Sequence, residues 1–165
     1  MVGAHREPSQ RVTLMTRNFC THLVYARRWP IVGRLAYVLL KALGSEIPLS
    51  VKIGSDFQLV HGGFGVVLHP ACVIGNNVKI YQGVTIGRGD TFREAEQSRF
   101  EGVHIGNDVL IGSGAKILCN SGMLHVGAGT IIGANAVLLR TTGVGEVWAG
   151  VPAHLIGMRS DPKYQ

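Results

Sequence analysis

The chain has 165 residues, of which 46% are hydrophobic and 16% charged, so it can bury one core and is not disordered by composition. Its 23 glycines follow no collagen-like period and answer instead to a repeated backbone need. The net charge of +6 suits an anionic partner, whether nucleic acid, acidic membrane or phosphorylated cofactor, or serves simple solubility.

Residues 1–10 are polar and read as a loose segment, with no signal peptide. From Arg11 to Leu43 the pattern is helical. Leu14, Phe19, Leu23 and Ala26 share one face, and Leu35, Leu39 and Leu43 share another. Pro30 separates the two segments and suits the first turn of a second helix, which Gly44 can end. Arg11, Arg17, Arg27, Arg28 and Arg34 decorate them. The expectation is a helical pair packed on the main domain with solvated arginines; contact with anionic lipid or a lipid-linked substrate is the sharper alternative. The run "IVGRLAYVLLKAL" holds Arg34 and Lys41 and is too short to span a bilayer. Cys20, Cys72 and Cys119 stand at no metal-like spacing and read as reduced thiols of a cytoplasmic protein.

Helical periodicity stops at Glu46. Large aliphatics then recur every six residues: Ile47, Ile53 and Leu59; Leu68, Ile74, Ile80 and Ile86; Ile105, Ile111 and Ile117; Val126, Ile132 and Leu138. Small or branched residues fall four positions later, among them Cys72, Val78, Val84, Val109, Ala115, Ser121, Thr130, Ala136 and Thr142. The beat slips at "HGGFG", breaks over the polar "RGDTFREAEQSRFEG", which reads as a projecting loop, and slips again before Val126. A period of six is neither helix nor alternating strand. It describes one face of a three-sided parallel β-helix, whose stacked coils share a core that no coil could bury alone. Four to five coils are expected. A β-sandwich would need alternation with longer turns, and no strand–GxGxxG–helix unit supports a Rossmann fold.

A β-helix entered through "EIPLSVKIG", interrupted by "LVHGGFGVV" and closed by "GVPAHLIG" resembles the hexapeptide acyltransferases. Within them it is most similar to the serine acetyltransferase family and its short relatives that acetylate sugars. The resemblance covers residues 46–157, with residues 1–45 as an N-terminal helical segment and 158–165 as a tail. It implies a mainly β fold, a left-handed parallel β-helix, against the usual right-handed crossover.

It also implies acetyl-CoA as co-substrate, a homotrimer with sites between prisms, and a CoA partner for the positive charge rather than nucleic acid. His61 matches the catalytic histidine, a general base for an acceptor hydroxyl. Glu46 matches the acidic residue that orients it. Gly87, Ser113, Gly114, Ala134, Asn135 and Pro152 match positions along the CoA arm, with Arg159 and Lys163 toward its phosphates.

Two departures bear on the acceptor. Val60 stands where serine acetyltransferases carry an aspartate that grips the amino acid, and the loop lacks the family's histidine. These favour a sugar hydroxyl of a glycan precursor over L-serine. A genuine serine O-acetyltransferase and a non-catalytic β-helix subunit remain the alternatives. A metal at His61 and His69 lacks a third ligand. "GSGAK" is no P-loop by spacing, and "HGGFG" lacks the esterase elbow.

Overall fold

The computed structural model describes residues 18–164. The expectations for residues 1–10, Arg11, Leu14 and Arg17 fall outside them. Two helices lead: α1 (Phe19–Ala26) and α2 (Pro30–Ala42). Asn18 caps α1, its Oδ1 accepting the Thr21 N–H at 3.0 Å. Pro30 opens α2, where its missing N–H costs nothing. Gly44, at φ +85°, closes it. The Ser45 N–H reaches the Leu40 carbonyl at 2.9 Å and the Gly44 N–H the Lys41 carbonyl at 3.0 Å, the paired bonds of a Schellman motif.

The helices pack differently from the expectation. The buried stripe of α2 is Gly33, Ala36 and Leu40, while Leu35 is 61% exposed. Small residues let the backbones meet: a Cβ on Gly33 would lie 2.5 Å from the Arg27 carbonyl oxygen. The larger leucines turn away as a result. Nor are all the arginines solvated. Arg27 is buried and donates to the carbonyls of Pro48 at 2.7 Å and Val51 at 3.3 Å, clamping α1 onto the first coil. Burial, with Arg28 nearby, lowers its pKa to about 10, so it remains charged at neutral pH.

The remainder is a left-handed parallel β-helix. Its first face carries β1 (Lys52–Ile53), β4 (Cys72–Ile74), β7 (Arg99–Ile105) and β10 (Ser121–Val126), in that order. The second carries β2 (Gln58–Leu59), β5 (Lys79–Ile80), β8 (Leu110–Ile111), β11 (Ile131–Ile132) and β13 (Glu146–Ala149), with β14 (His154–Met158) at its end. The third carries β3 (Val67–Leu68), β6 (Thr85–Arg88), β9 (Lys116–Cys119) and β12 (Val137–Leu138). Pairing within the coils is parallel; only β14 turns back, antiparallel to β13. Among the described residues no helix is long and apolar enough to cross a membrane.

The register explains the beat of six. Ile53 pairs with Ile74, Ile74 with Ile105 and Ile105 with Val126. Leu59, Ile80, Ile111, Ile132 and Trp148 form a second row. Leu68, Ile86, Ile117 and Leu138 form the third. Each row runs up the prism, and nearly every member is buried; Ile53, at the open end, is half-buried. The small residues four places on are buried too, apart from Ser121, which is exposed where β10 begins at the second slip.

Candidate active site

His61 sits where the second face turns into the third. After β2 the chain makes a tight turn, Val60–Gly63, in which His61 (φ 53°, ψ 34°), Gly62 (φ 76°) and Gly63 (φ 71°) are successively left-handed. Glycine adopts this conformation freely and a histidine at some cost. Strain of this kind persists where the surroundings over-determine it. Here they do. The Ser45 hydroxyl donates to the Gly63 carbonyl at 2.7 Å. Thr21 Oγ1 accepts the Leu59 N–H at 3.1 Å, and Asn18 Nδ2 donates to the Leu59 carbonyl. The cap of α1 thus fixes the strand that leads to the histidine. The imidazole is exposed, meets the Tyr81 ring edge-on at 6.0 Å and has no side-chain hydrogen bond among the described residues.

Above His61, one row along the same prism edge, Gly65, Gly83 and Gly114, has no side chains. Gly83 donates its N–H to Phe64, Gly114 to Gln82 and Asn135 to Ser113, at 2.7, 2.8 and 2.8 Å; the Val137 N–H then reaches the Gly150 carbonyl at 3.0 Å. Gly65, Gly83, Gly114 and Asn135 all have positive φ. A methyl group on Gly83 would lie 3.5 Å from Gly114 Cα, and one on Gly114 only 2.1 Å from Asn135 Oδ1. Ser113, Gly114, Ala134 and Asn135 therefore stand in line with His61, and exposed Pro152 follows Gly150 at the upper end. Gln82 Oε1 is buried on this edge without a partner among the described residues. Lys116 Nζ donates to the Gly83 carbonyl at 2.6 Å.

Other anticipated residues lie elsewhere. Gly87 is buried within β6, paired with Leu118 and packed on His69. Arg159 donates to the carbonyls of Asp108 at 3.0 Å and Gly129 at 3.3 Å, and Lys163 Nζ to Asp108 Oδ2 at 2.7 Å. Both tie the C-terminal tail to a different edge, between the first and second faces. Glu46 forms a parallel bridge to Val67 beyond the His61 turn; its carboxylate pairs with Lys41 at 3.3 Å, both half-exposed. His69 lies on the third edge, its Nδ1 accepting the Ala71 N–H at 3.1 Å and its ring against Phe100, so it is not brought to His61. The projecting loop leaves from that third edge. Its base is clasped by buried Asp90, which accepts from Arg88 at 2.9 Å and Ser98 at 2.7 Å.

Sequence reasoning missed Ser45, Asn18, Thr21 and Tyr81. Tyr81 follows Ile80 in the repeat as Val60 follows Leu59, so its place one coil above was readable from the beat. The others hold the turn through hydrogen bonds between distant segments, for which the sequence carries no periodic signal.

A left-handed β-helix of stacked six-residue steps defines a hexapeptide-repeat protein, here with a histidine raised at the first slip. No family profile matches the chain. A serine acetyltransferase from Staphylococcus epidermidis is 40% identical over 100 residues, 60% of this chain and 44% of that protein. One from Staphylococcus aureus is 39% identical over 127 residues, 70% of this chain and 57% of that protein. A solved serine acetyltransferase from Vibrio cholerae superposes with a TM-score of 0.70 at 27% identity, covering 96% of this chain and 62% of that one. In sequence and in fold the chain is thus similar to the serine acetyltransferases among the hexapeptide-repeat proteins. It spans about half the length of the curated relatives it matches.

Proposed function

We propose that the chain is an acetyl-CoA-dependent O-acetyltransferase whose acceptor is L-serine. The observation that carries the reading is the line from the exposed His61 imidazole up the same edge through Ser113–Gly114 and Ala134–Asn135. Coils stack at about 4.8 Å, so four coils give an edge of roughly 15–20 Å, the length scale of an extended pantetheine arm. Missing side chains at Gly83 and Gly114 admit a ligand to the backbone there.

In this mechanism His61 takes the proton from the acceptor hydroxyl as its oxygen attacks the thioester carbonyl. The carbon–sulfur bond breaks, and the imidazolium returns its proton to the departing CoA sulfur. Products are the O-acetyl ester and CoA. No thiol near this path is activated. Burial pushes the Cys20 thiol up, and takes Cys72 to about 12. Transfer is therefore direct. Glu46 orients the imidazole by exchanging Lys41 for His61; an exposed ion pair of this kind is worth only about 0–1 kcal/mol and yields readily. The reading includes a homotrimer with sites between neighbouring prisms, which the resemblance to the family implies.

L-serine is supported by the two staphylococcal relatives, both serine acetyltransferases, and by a Neisseria gonorrhoeae neighbour at 28% identity whose structure is a complex with serine. The sequence alone favoured a sugar hydroxyl, and one feature keeps that as a second reading. Val60, directly before His61, offers no charge to an ammonium group. CoA release, followed with a thiol reagent against L-serine and a panel of sugars, decides. Turnover with serine is expected. Turnover with sugars alone moves the assignment to a glycan acetyltransferase, and none with any hydroxyl acceptor leaves a binding or structural subunit.

A further inference from the structure

We infer that the outer face of α2 docks on an anionic membrane surface. The helix is apolar on two opposite sides. One is the buried stripe of Gly33, Ala36 and Leu40. On the other, Ile31 (89% exposed), Leu35 and Val38 lie in solvent, with Val32 and Leu39 beside them and Trp29 at the helix entrance. At 100° per residue, Ile31, Leu35, Val38 and Ala42 fall within about 60° of one another. A solvated helix has no use for such a stripe, and a contiguous exposed apolar patch marks a contact surface.

Charge identifies the partner. Residues 18–45 contain no Asp or Glu, while Arg28, Arg34 and Lys41 are exposed, Lys41 in a weak exposed ion pair with Glu46. Arg34 and Lys41 run along one flank of the apolar stripe, seven residues apart and so two turns apart. Two copies meeting through this face would bring basic flanks together with only Glu46, already paired with Lys41, to answer them. A surface of anionic headgroups over acyl chains complements both features. Basic residues reach the headgroups and the aliphatics enter the interface, with Trp29 at the boundary that tryptophan favours. Thirteen residues span about 20 Å, too short to cross a bilayer and suited to lying in its plane. The inference does not depend on which acceptor is acetylated.

The test is sedimentation of the full chain with vesicles of phosphatidylglycerol and phosphatidylcholine in equal parts, or of phosphatidylcholine alone. Binding is expected to the anionic vesicles only and to fall as salt rises. The double variant Ile31→Glu, Leu35→Glu should reduce the bound fraction by about tenfold or more, and Arg34→Glu several-fold. All three side chains are exposed, so circular dichroism should not change. Trp148 is buried and bonded to Glu146 at 2.7 Å, so a blue shift of tryptophan fluorescence on binding reports Trp29. No sedimentation with either vesicle, equal binding to both, or full binding by the double variant overturns the inference. So does a drop in solution mass of the double variant by light scattering, which assigns the face to contact between copies.

Discussion

Ser45 donates its hydroxyl proton to the carbonyl of Gly63 across 2.7 Å, and both residues are buried. One belongs to the Schellman end of α2, the other to the left-handed turn that presents His61. The helix end thus sets the height of the turn. The Gly63 carbonyl also accepts the Val66 N–H at 2.9 Å, so losing the hydroxyl does not orphan it. Ser45→Ala is therefore expected to cost only about 1 kcal/mol in a denaturant melt. Turnover should fall several-fold with KM for acetyl-CoA unchanged, because the edge above the turn is untouched. Unaltered kinetics would remove Ser45 from the positioning of His61.

His61 carries two roles that different substitutions separate. As general base it accounts for roughly 100- to 10,000-fold in turnover. As a left-handed residue it constrains what can replace it, since alanine there costs about 1 kcal/mol and asparagine much less. His61→Ala should lose both activity and stability. His61→Asn should lose activity while melting with the unaltered protein. An asparagine variant that kept most of its turnover would defeat the assignment.

The rung above bears the same logic for the donor. Gly114 has φ +71°, and an added methyl would meet Asn135 Oδ1 at 2.1 Å. Asn135 is exposed and its side chain can swing away, so the main folding cost of Gly114→Ala is the left-handed strain, about 1 kcal/mol. The displaced amide and the methyl both intrude on the edge. KM for acetyl-CoA should rise several-fold, with turnover at saturation held within a factor of about two, since His61 is not disturbed. A fall in turnover at unchanged KM would separate Gly114 from donor binding.

What was readable from the sequence follows from periodicity. The rows headed by Ile53, Leu59 and Leu68 are the beat of six itself, because each face repeats the same inward position. His61 stood out for the same reason, as the place where the count slips. The packing of α2 was not readable. Leu35 and Leu39 satisfy a helical stripe as well as Gly33, Ala36 and Leu40 do, and only the approach to Arg27 selects between them. Likewise Arg159 and Lys163 are basic in any reading; that Asp108 engages the tail rather than leaving it free depends on a corner some fifty residues away.

That corner yields a pH dependence. Partial burial pushes the Asp108 carboxyl up, but the bonds from Lys163 and from Asn77, with Tyr164 alongside, outweigh this and hold it at about 2. The value lies below the ordinary 3.8, so the ionised form is the one the folded tail favours. Its contribution is fully present above about pH 4 and is lost as pH falls through about 2. Lys163 is largely exposed, which limits the effect to about 1 kcal/mol. Asp108→Asn should therefore speed amide hydrogen exchange at Arg159, whose N–H is bonded to the Gly145 carbonyl at 2.6 Å, by about fivefold at pH 7. Near pH 2 the variant and the unaltered protein should converge. An equal ratio at both pH values would mean that Asp108 holds the tail by shape and not by charge.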